Sequence, residues 1–138
     1  MSIIGKYDLI SDPNDAEWDT YLKTVGVSDA HREAGAMVKP SIEISEAGGK
    51  YTLKTLSELK NMEISFELGK EFDETTADNR QCKTIFTKEG TSKLIQVQQL
   101  DGKKSQTVRE FTAGGMNAVF SAEGVSATRK YKRVGYQK

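Results

Sequence analysis

The sequence predicts an all-β fold, an antiparallel barrel of about ten strands capped by two helices. Three observations carry this. After Pro40 the apolar residues recur at every second position in short runs, the pattern of half-buried strands. Those runs are broken at hairpin intervals by Ala47-Gly48-Gly49, Gly69, Asp78-Asn79, Glu89-Gly90, Asp101-Gly102, Gly114-Gly115 and Glu123-Gly124. Before Pro40 the spacing is helical instead. About ten short strands in so small a domain would expose two long edges as a flat sheet, so closure is expected. A barrel of about eight strands is filled by its own side chains or holds one small ligand, and a larger one leaves more room inside.

Taken in order, Gly5 to Leu9 reads as an opening strand, ended by Asp12, Pro13, Asn14 and Asp15. Asn14 is the expected N-cap of a first helix, with Glu17 three residues on as in a capping box. Trp18, Tyr21, Leu22 and Val25 follow at helical spacing, and Gly26 stops the helix. Ser28 caps a second helix whose apolar stripe is Ala30, Ala34, Met37 and Val38, and Pro40 ends it. This lid, about residues 15–38, needs a place to bury its stripe, and the open barrel mouth is the expected one. Ile42 and Ile44, then Tyr51, Leu53 and Thr55, make the next two strands. Met62, Ile64, Phe66 and Leu68 alternate with polar residues in the clearest period-two run of the chain. No linker, repeat or composition shift divides the sequence, so residues 1–138 read as a single barrel domain.

Composition narrows the function. Twenty Lys and Arg against twenty Asp and Glu give a formal net charge of zero, so bulk attraction to nucleic acid is not expected. A single cysteine, Cys82, excludes an internal disulfide and a cysteine metal site, and it is expected to pack as a small apolar residue. The only histidine, His31, is expected on the surface of the second helix. The N-terminus has no apolar run of a signal peptide, and no stretch approaches the ~20 apolar residues of a membrane span. A cytoplasmic monomer without cofactor or metal is the expectation.

The last strand, Val125 to Val134, carries the sharpest signal. One parity class, Ser126, Thr128, Lys130 and Lys132, is polar and suits water. The other, Val125, Ala127, Arg129, Tyr131 and Arg133, begins apolar and then presents a guanidinium and a phenol two residues apart. A buried cation without a partner is costly. With Arg109 one or two strands earlier, the pattern points to a carboxylate held by Arg109, Arg129 and Tyr131 and supplied from outside the protein.

The order of motifs resembles the intracellular lipid-binding protein family, the fatty-acid-binding proteins and their retinoid-binding relatives. Gly5-Lys6-Tyr7-Asp8-Leu9, Tyr21-Leu22-Lys23, Lys60-Asn61-Met62-Glu63-Ile64 and Phe66-Glu67-Leu68-Gly69 follow the family order. So do Glu71-Phe72-Asp73-Glu74-Thr75-Thr76-Ala77-Asp78-Asn79-Arg80, Asp101-Gly102-Lys103, Val108-Arg109-Glu110 and Thr128-Arg129-Lys130-Tyr131. The resemblance implies a ten-stranded up-and-down barrel, the β-clam, with a helix-turn-helix lid. It also implies a cytosolic, non-enzymatic carrier whose cargo is a long-chain fatty acid, with the family's anion-holding positions falling on Arg109, Arg129 and Tyr131. Cavity or portal positions would be Trp18, Tyr21, Leu59, Met62, Phe66, Gln98 and Phe120. Gln96 shares the face of Gln98, and Gln98 is placed inside. Asp78 and Arg80 are either a pair supporting the site or a salt bridge of their turn. Leu59 and Leu100 depart from the aromatic residues common in the family at their positions.

A retinoic-acid or other hydrophobic-acid carrier could use the same arginines and tyrosine. An enzyme would need a nucleophile–base pair, metal cluster or paired carboxylates, and none is recognisable in the sequence. Lys23, Arg32 and Lys39 suggest a mildly basic lid able to touch acidic membranes transiently, against Asp19, Asp29 and Glu33 nearby.

Overall fold

The computed structural model describes residues 3–135, so the extreme ends of the expected 1–138 domain lie outside the described residues. The elements are β1 (Gly5–Leu9), α1 (Ala16–Thr24), α2 (Asp29–Gly35), β2 (Ser41–Ala47), β3 (Lys50–Leu56), β4 (Met62–Glu67) and β5 (Phe72–Thr75). They continue with β6 (Gln81–Glu89), β7 (Lys93–Leu100), β8 (Lys103–Phe111), β9 (Gly115–Ala122) and β10 (Val125–Gly135). All ten strands form one sheet in the order β4-β3-β2-β1-β10-β9-β8-β7-β6-β5. Each strand pairs antiparallel with its neighbour in sequence, except that β1 also pairs with β10 and no ladder joins β4 to β5. The result is a nearly closed barrel with one unbonded seam.

Aromatic side chains fill that seam. Phe66 of β4 stacks on Phe86 of β6 with centroids 3.8 Å apart and planes 12° from parallel. Phe72 of β5 lies 6.5 Å from Phe66 and 6.2 Å from Phe86, again nearly parallel, and Tyr51 extends the stack from β3 at 5.6 Å. The amide of Gly69 donates to the carbonyl of Phe86, anchoring the turn after β4 to β6. Offset stacking adds about 0.5–1.5 kcal/mol per pair beyond area burial, which replaces part of what a backbone ladder would contribute. Phe66, expected along the cavity wall, belongs to this seam.

The lid differs from the expectation in two details. The N-cap of α1 is Asp15, whose carboxylate accepts from the Trp18 amide, while Asn14 donates its own amide to Asp12 in the preceding turn. A carboxylate beside the positive end of a helix is favoured over an amide there. The helix α2 ends at Gly35, so Met37 lies beyond it, 85% exposed, and α2 buries no residue. Its expected apolar stripe is therefore only partly covered, with Ala34 and Val38 half-buried and Ala30 and Met37 exposed. By contrast α1 packs Tyr21, Leu22, Val25 and Trp18 against Ala122, Ala127 and Phe120 of β9 and β10. Gly26 follows α1 at φ +90°, and a Cβ there would meet the Arg80 guanidinium at 2.8 Å.

Candidate functional site

Strand register brings the two arginines together. Across β8, β9 and β10, Arg109 pairs with Ala118 and Ala118 pairs with Arg129, so all three share one rung of the inner face. Neighbouring strands lie about 4.8 Å apart, so the arginine backbones stand about 10 Å apart with only a methyl group between them. That alanine is 1% exposed. Long side chains from either flank can converge in the space above it. One rung along, Tyr131 pairs with Met116, which pairs with Phe111. Gly115 makes the approach possible, because a Cβ there would meet the Tyr131 carbonyl oxygen at 2.0 Å.

Both arginines are 8% exposed. Burial pushes the Arg109 guanidinium below its ordinary value, and Tyr131, Glu74 and Tyr21 act against that shift. Burial does the same to Arg129, opposed by Tyr131 and by Asp15 at the lid. The side-chain bonds that they make are few. Arg109 Nη1 donates to Gln96 Oε1 at 2.9 Å. The Tyr131 phenol is close enough to act on the Arg129 charge, and the Arg129 guanidinium carbon lies 4.2 Å from the centroid of the Trp18 ring. Neither arginine forms a salt bridge with any described carboxylate. Two sheltered cations with donors left over are the chemistry that receives an anion.

A second polar group lies on the same wall. Glu74 of β5, 9% exposed, accepts at Oε1 from Thr84 (2.7 Å), Gln98 (3.1 Å) and Gln96 (3.3 Å). The Cys82 thiol is part of it, 3.9 Å from Glu74 Oε1 and 3.4 Å from Thr84. Cys82 is buried, as expected, although among polar side chains, and burial pushes the thiol up, away from reactivity. Gln98 is inside and half-buried, while Gln96, its neighbour on the face, is the more buried and the one that touches Arg109. Sequence reading passed over Glu74, although its parity with the half-buried Phe72 marks it as inward-facing.

The remaining candidates separate into three groups. Trp18, Tyr21 and Phe120 pack on one another beneath α1, with ring centroids 4.7–5.6 Å apart. The Tyr21 hydroxyl bonds Ser105 at 2.6 Å, which ties the lid to β8, and burial raises its pKa. Met62 is half-buried opposite Thr55, and Leu59 is 57% exposed in the β3–β4 loop. Asp78 and Arg80 do not face the arginine pair. Arg80 bonds Asp78, the Val25 carbonyl and Asp101, and Lys103 adds a bond to the Thr24 carbonyl, so the end of α1 is held by cations on two turns. That is the structural alternative for the pair. On the lid surface, Arg32 is bonded to Asp19 and Asp29, which removes one of the three cations expected to make the lid basic. His31 is exposed and bonded to Ser28.

Comparison with known proteins gives a consistent result. The family model described as lipocalin / cytosolic fatty-acid binding protein matches residues 4–133. A fatty acid-binding protein of Tyrophagus putrescentiae is 42% identical over 133 residues, 96% of this chain and 98% of that protein. The liver fatty acid-binding protein of Lethenteron camtschaticum is 46% identical over 106 residues, covering 77% of this chain and 92% of that one. Among solved structures, the Schistosoma mansoni fatty acid binding protein in complex with arachidonic acid superposes with a TM-score of 0.89 at 35% identity, covering 95% of both chains.

Proposed function

Because the chain belongs to the lipocalin / cytosolic fatty-acid binding protein family, we propose that it carries a long-chain fatty acid inside the barrel, its carboxylate held by Arg109, Arg129 and Tyr131. The observation that supports this most is the shared rung, in which two buried arginines flank Ala118 and have no carboxylate partner among the described residues. A ligand carboxylate accepts from Arg129 and Tyr131, with Arg109 completing the set. Such charge-assisted bonds are about twice as strong as neutral ones.

The tail supplies most of the affinity. Apolar transfer contributes about 0.8 kcal/mol per methylene, so a chain of ~16 carbons offers about 12 kcal/mol gross before ordering costs. The head group sets orientation and the choice of acid over alcohol. Nothing in this role needs bond-making, and the reading is of a carrier.

Trp18 is the only tryptophan and lies over Arg129, so its fluorescence reads the head-group site. Titration of the lipid-free protein with oleate should saturate near one ligand per protein at sub-micromolar concentration. A flat response in both fluorescence and calorimetry would remove the fatty-acid assignment.

A further inference from the structure

We propose that Glu74 forms a second polar subsite inside the barrel that receives a hydroxyl group on the acyl chain, making a hydroxylated long-chain fatty acid the preferred cargo. The inference rests on the fatty-acid reading above and goes beyond it in naming the ligand class.

Glu74 is held in an unusual way. Three neutral donors, Thr84, Gln96 and Gln98, converge on Oε1. Among the described residues no donor reaches Oε2, although the residue is 9% exposed. A carboxyl oxygen without a donor keeps its capacity to accept, and Oε2 is not among the fully buried polar atoms that lack a partner, so it is open to an incoming group. The arrangement fixes one oxygen firmly and leaves the other without a protein donor, on a residue whose strand parity places it on the inner face.

A counter-ion role alone would place Arg109 directly on this carboxylate. Instead Gln96 stands between them, accepting at Oε1 from Arg109 and donating from Nε2 to Glu74. The amide keeps the cation and the anion apart, so that each retains capacity for a ligand. One end of the pair takes an acceptor and the other takes a donor.

A hydroxy acid offers both in one molecule, a carboxylate for the arginines and an O–H for Glu74 Oε2. A second carboxylate would be repelled by Glu74, and an amine by Arg109 and Arg129. A neutral hydroxyl meets neither objection. Because a single amide spans the distance from Arg109 to Glu74, the hydroxyl belongs in the carboxyl half of the chain.

The test is calorimetric titration of wild type, Glu74→Gln and Glu74→Leu with stearate and with hydroxystearates substituted along the carboxyl half. The quantity read is the ratio of the two affinities within each protein. In wild type the best hydroxystearate should bind about tenfold tighter than stearate, the size expected of a hydrogen bond to a charged group. Glu74→Leu should bring the ratio to about one. Glu74→Gln, which preserves shape and an acceptor for Thr84, Gln96 and Gln98, should reduce it to about twofold and keeps the test open if the leucine variant does not fold. Equal affinities in wild type, or a preference that survives both substitutions, would overturn the subsite and leave the fatty-acid reading standing. Failure of stearate and hydroxystearates alike to bind wild type would overturn both.

Discussion

The β1–β4 wall and the β5–β10 wall face one interior with different chemistry, the first apolar and the second mixed, since Phe86, Leu94, Phe111 and Met116 are buried on it beside the polar groups. From β1 to β4 the buried side chains are Tyr7, Leu9, Ile42, Ile44, Leu53 and Phe66. Every buried polar or charged side chain among the described residues, Glu74, Thr84, Gln96, Ser105, Thr107, Arg109 and Arg129, comes from β5 to β10. The two sets are also contiguous in the sheet, since β4-β3-β2-β1 is followed by β10 to β5. The lid follows the same division, because α1 is fastened by Tyr21 to Ser105, Trp18 to Arg129, Lys103 to Thr24 and Arg80 to Val25. The first wall buries no charged side chain and the second buries both kinds, and α1 is fastened to the side that carries the buried arginines.

That division can be broken from either wall. The largest effect is expected on the apolar side. Phe66→Ala removes the ring shared by three stacked contacts, and chemical denaturation should show a loss of about 3–5 kcal/mol, while the preference for oleate over oleyl alcohol survives. On the polar side, Arg129→Gln should weaken oleate by about 1.5–3 kcal/mol, roughly 10- to 100-fold, with oleyl alcohol little changed in parallel calorimetry. Ala118→Leu sharpens the comparison, since it fills the gap between two intact arginines. Overpacking of this kind costs about 1–3 kcal/mol, and oleate affinity should fall more than oleyl alcohol affinity.

Smaller effects belong to the lid. Tyr21→Phe leaves the buried Ser105 hydroxyl without its partner and should lower stability by about 1 kcal/mol in thermal denaturation. The same residue sets an alkaline limit. Burial holds the Tyr21 hydroxyl above the ordinary tyrosine value, with Ser105 and Arg109 acting in the opposite direction. A folded value above the unfolded one gives stability that is complete below about pH 10 and lost as pH rises through the folded value. Melting temperature should therefore fall more steeply above that pH in wild type than in Tyr21→Phe, and parallel slopes would count against it.

The polar wall was partly legible in the sequence because strand geometry is local. Alternation alone places Arg129 and Tyr131 on the face of Ala127, away from Ser126, Thr128, Lys130 and Lys132, and the structure has that arrangement. The turn residues likewise fix hairpin register, which sets Arg109 and Arg129 on either side of Ala118. What escaped depends on contacts between distant segments. The stack of Phe66 on Phe86 joins strands with no ladder between them, and Arg80 reaches a helix carbonyl 55 residues away. Glu74 was hidden differently. It lies in a run with Glu71 and Asp73, where a carboxylate reads as a solvent-facing one. The choice of Asp15 over Asn14 as cap turned on one residue of loop geometry between two competent side chains.

The β4–β5 seam is the one boundary of the barrel that no backbone ladder closes. At every other strand boundary a change of girth requires whole backbone hydrogen bonds to be exchanged for nothing, which makes the response stepwise. Between β4 and β5 the contact is a set of near-parallel rings, Tyr51, Phe66, Phe72 and Phe86. Ring pairs are favourable over a range of centroid separations, about 4.5–7 Å, and do not need the fixed geometry of a backbone ladder. The circumference is therefore expected to yield first along this line, and cargoes of differing thickness would then be met by an adjustment of the ring contacts rather than by melting of a strand.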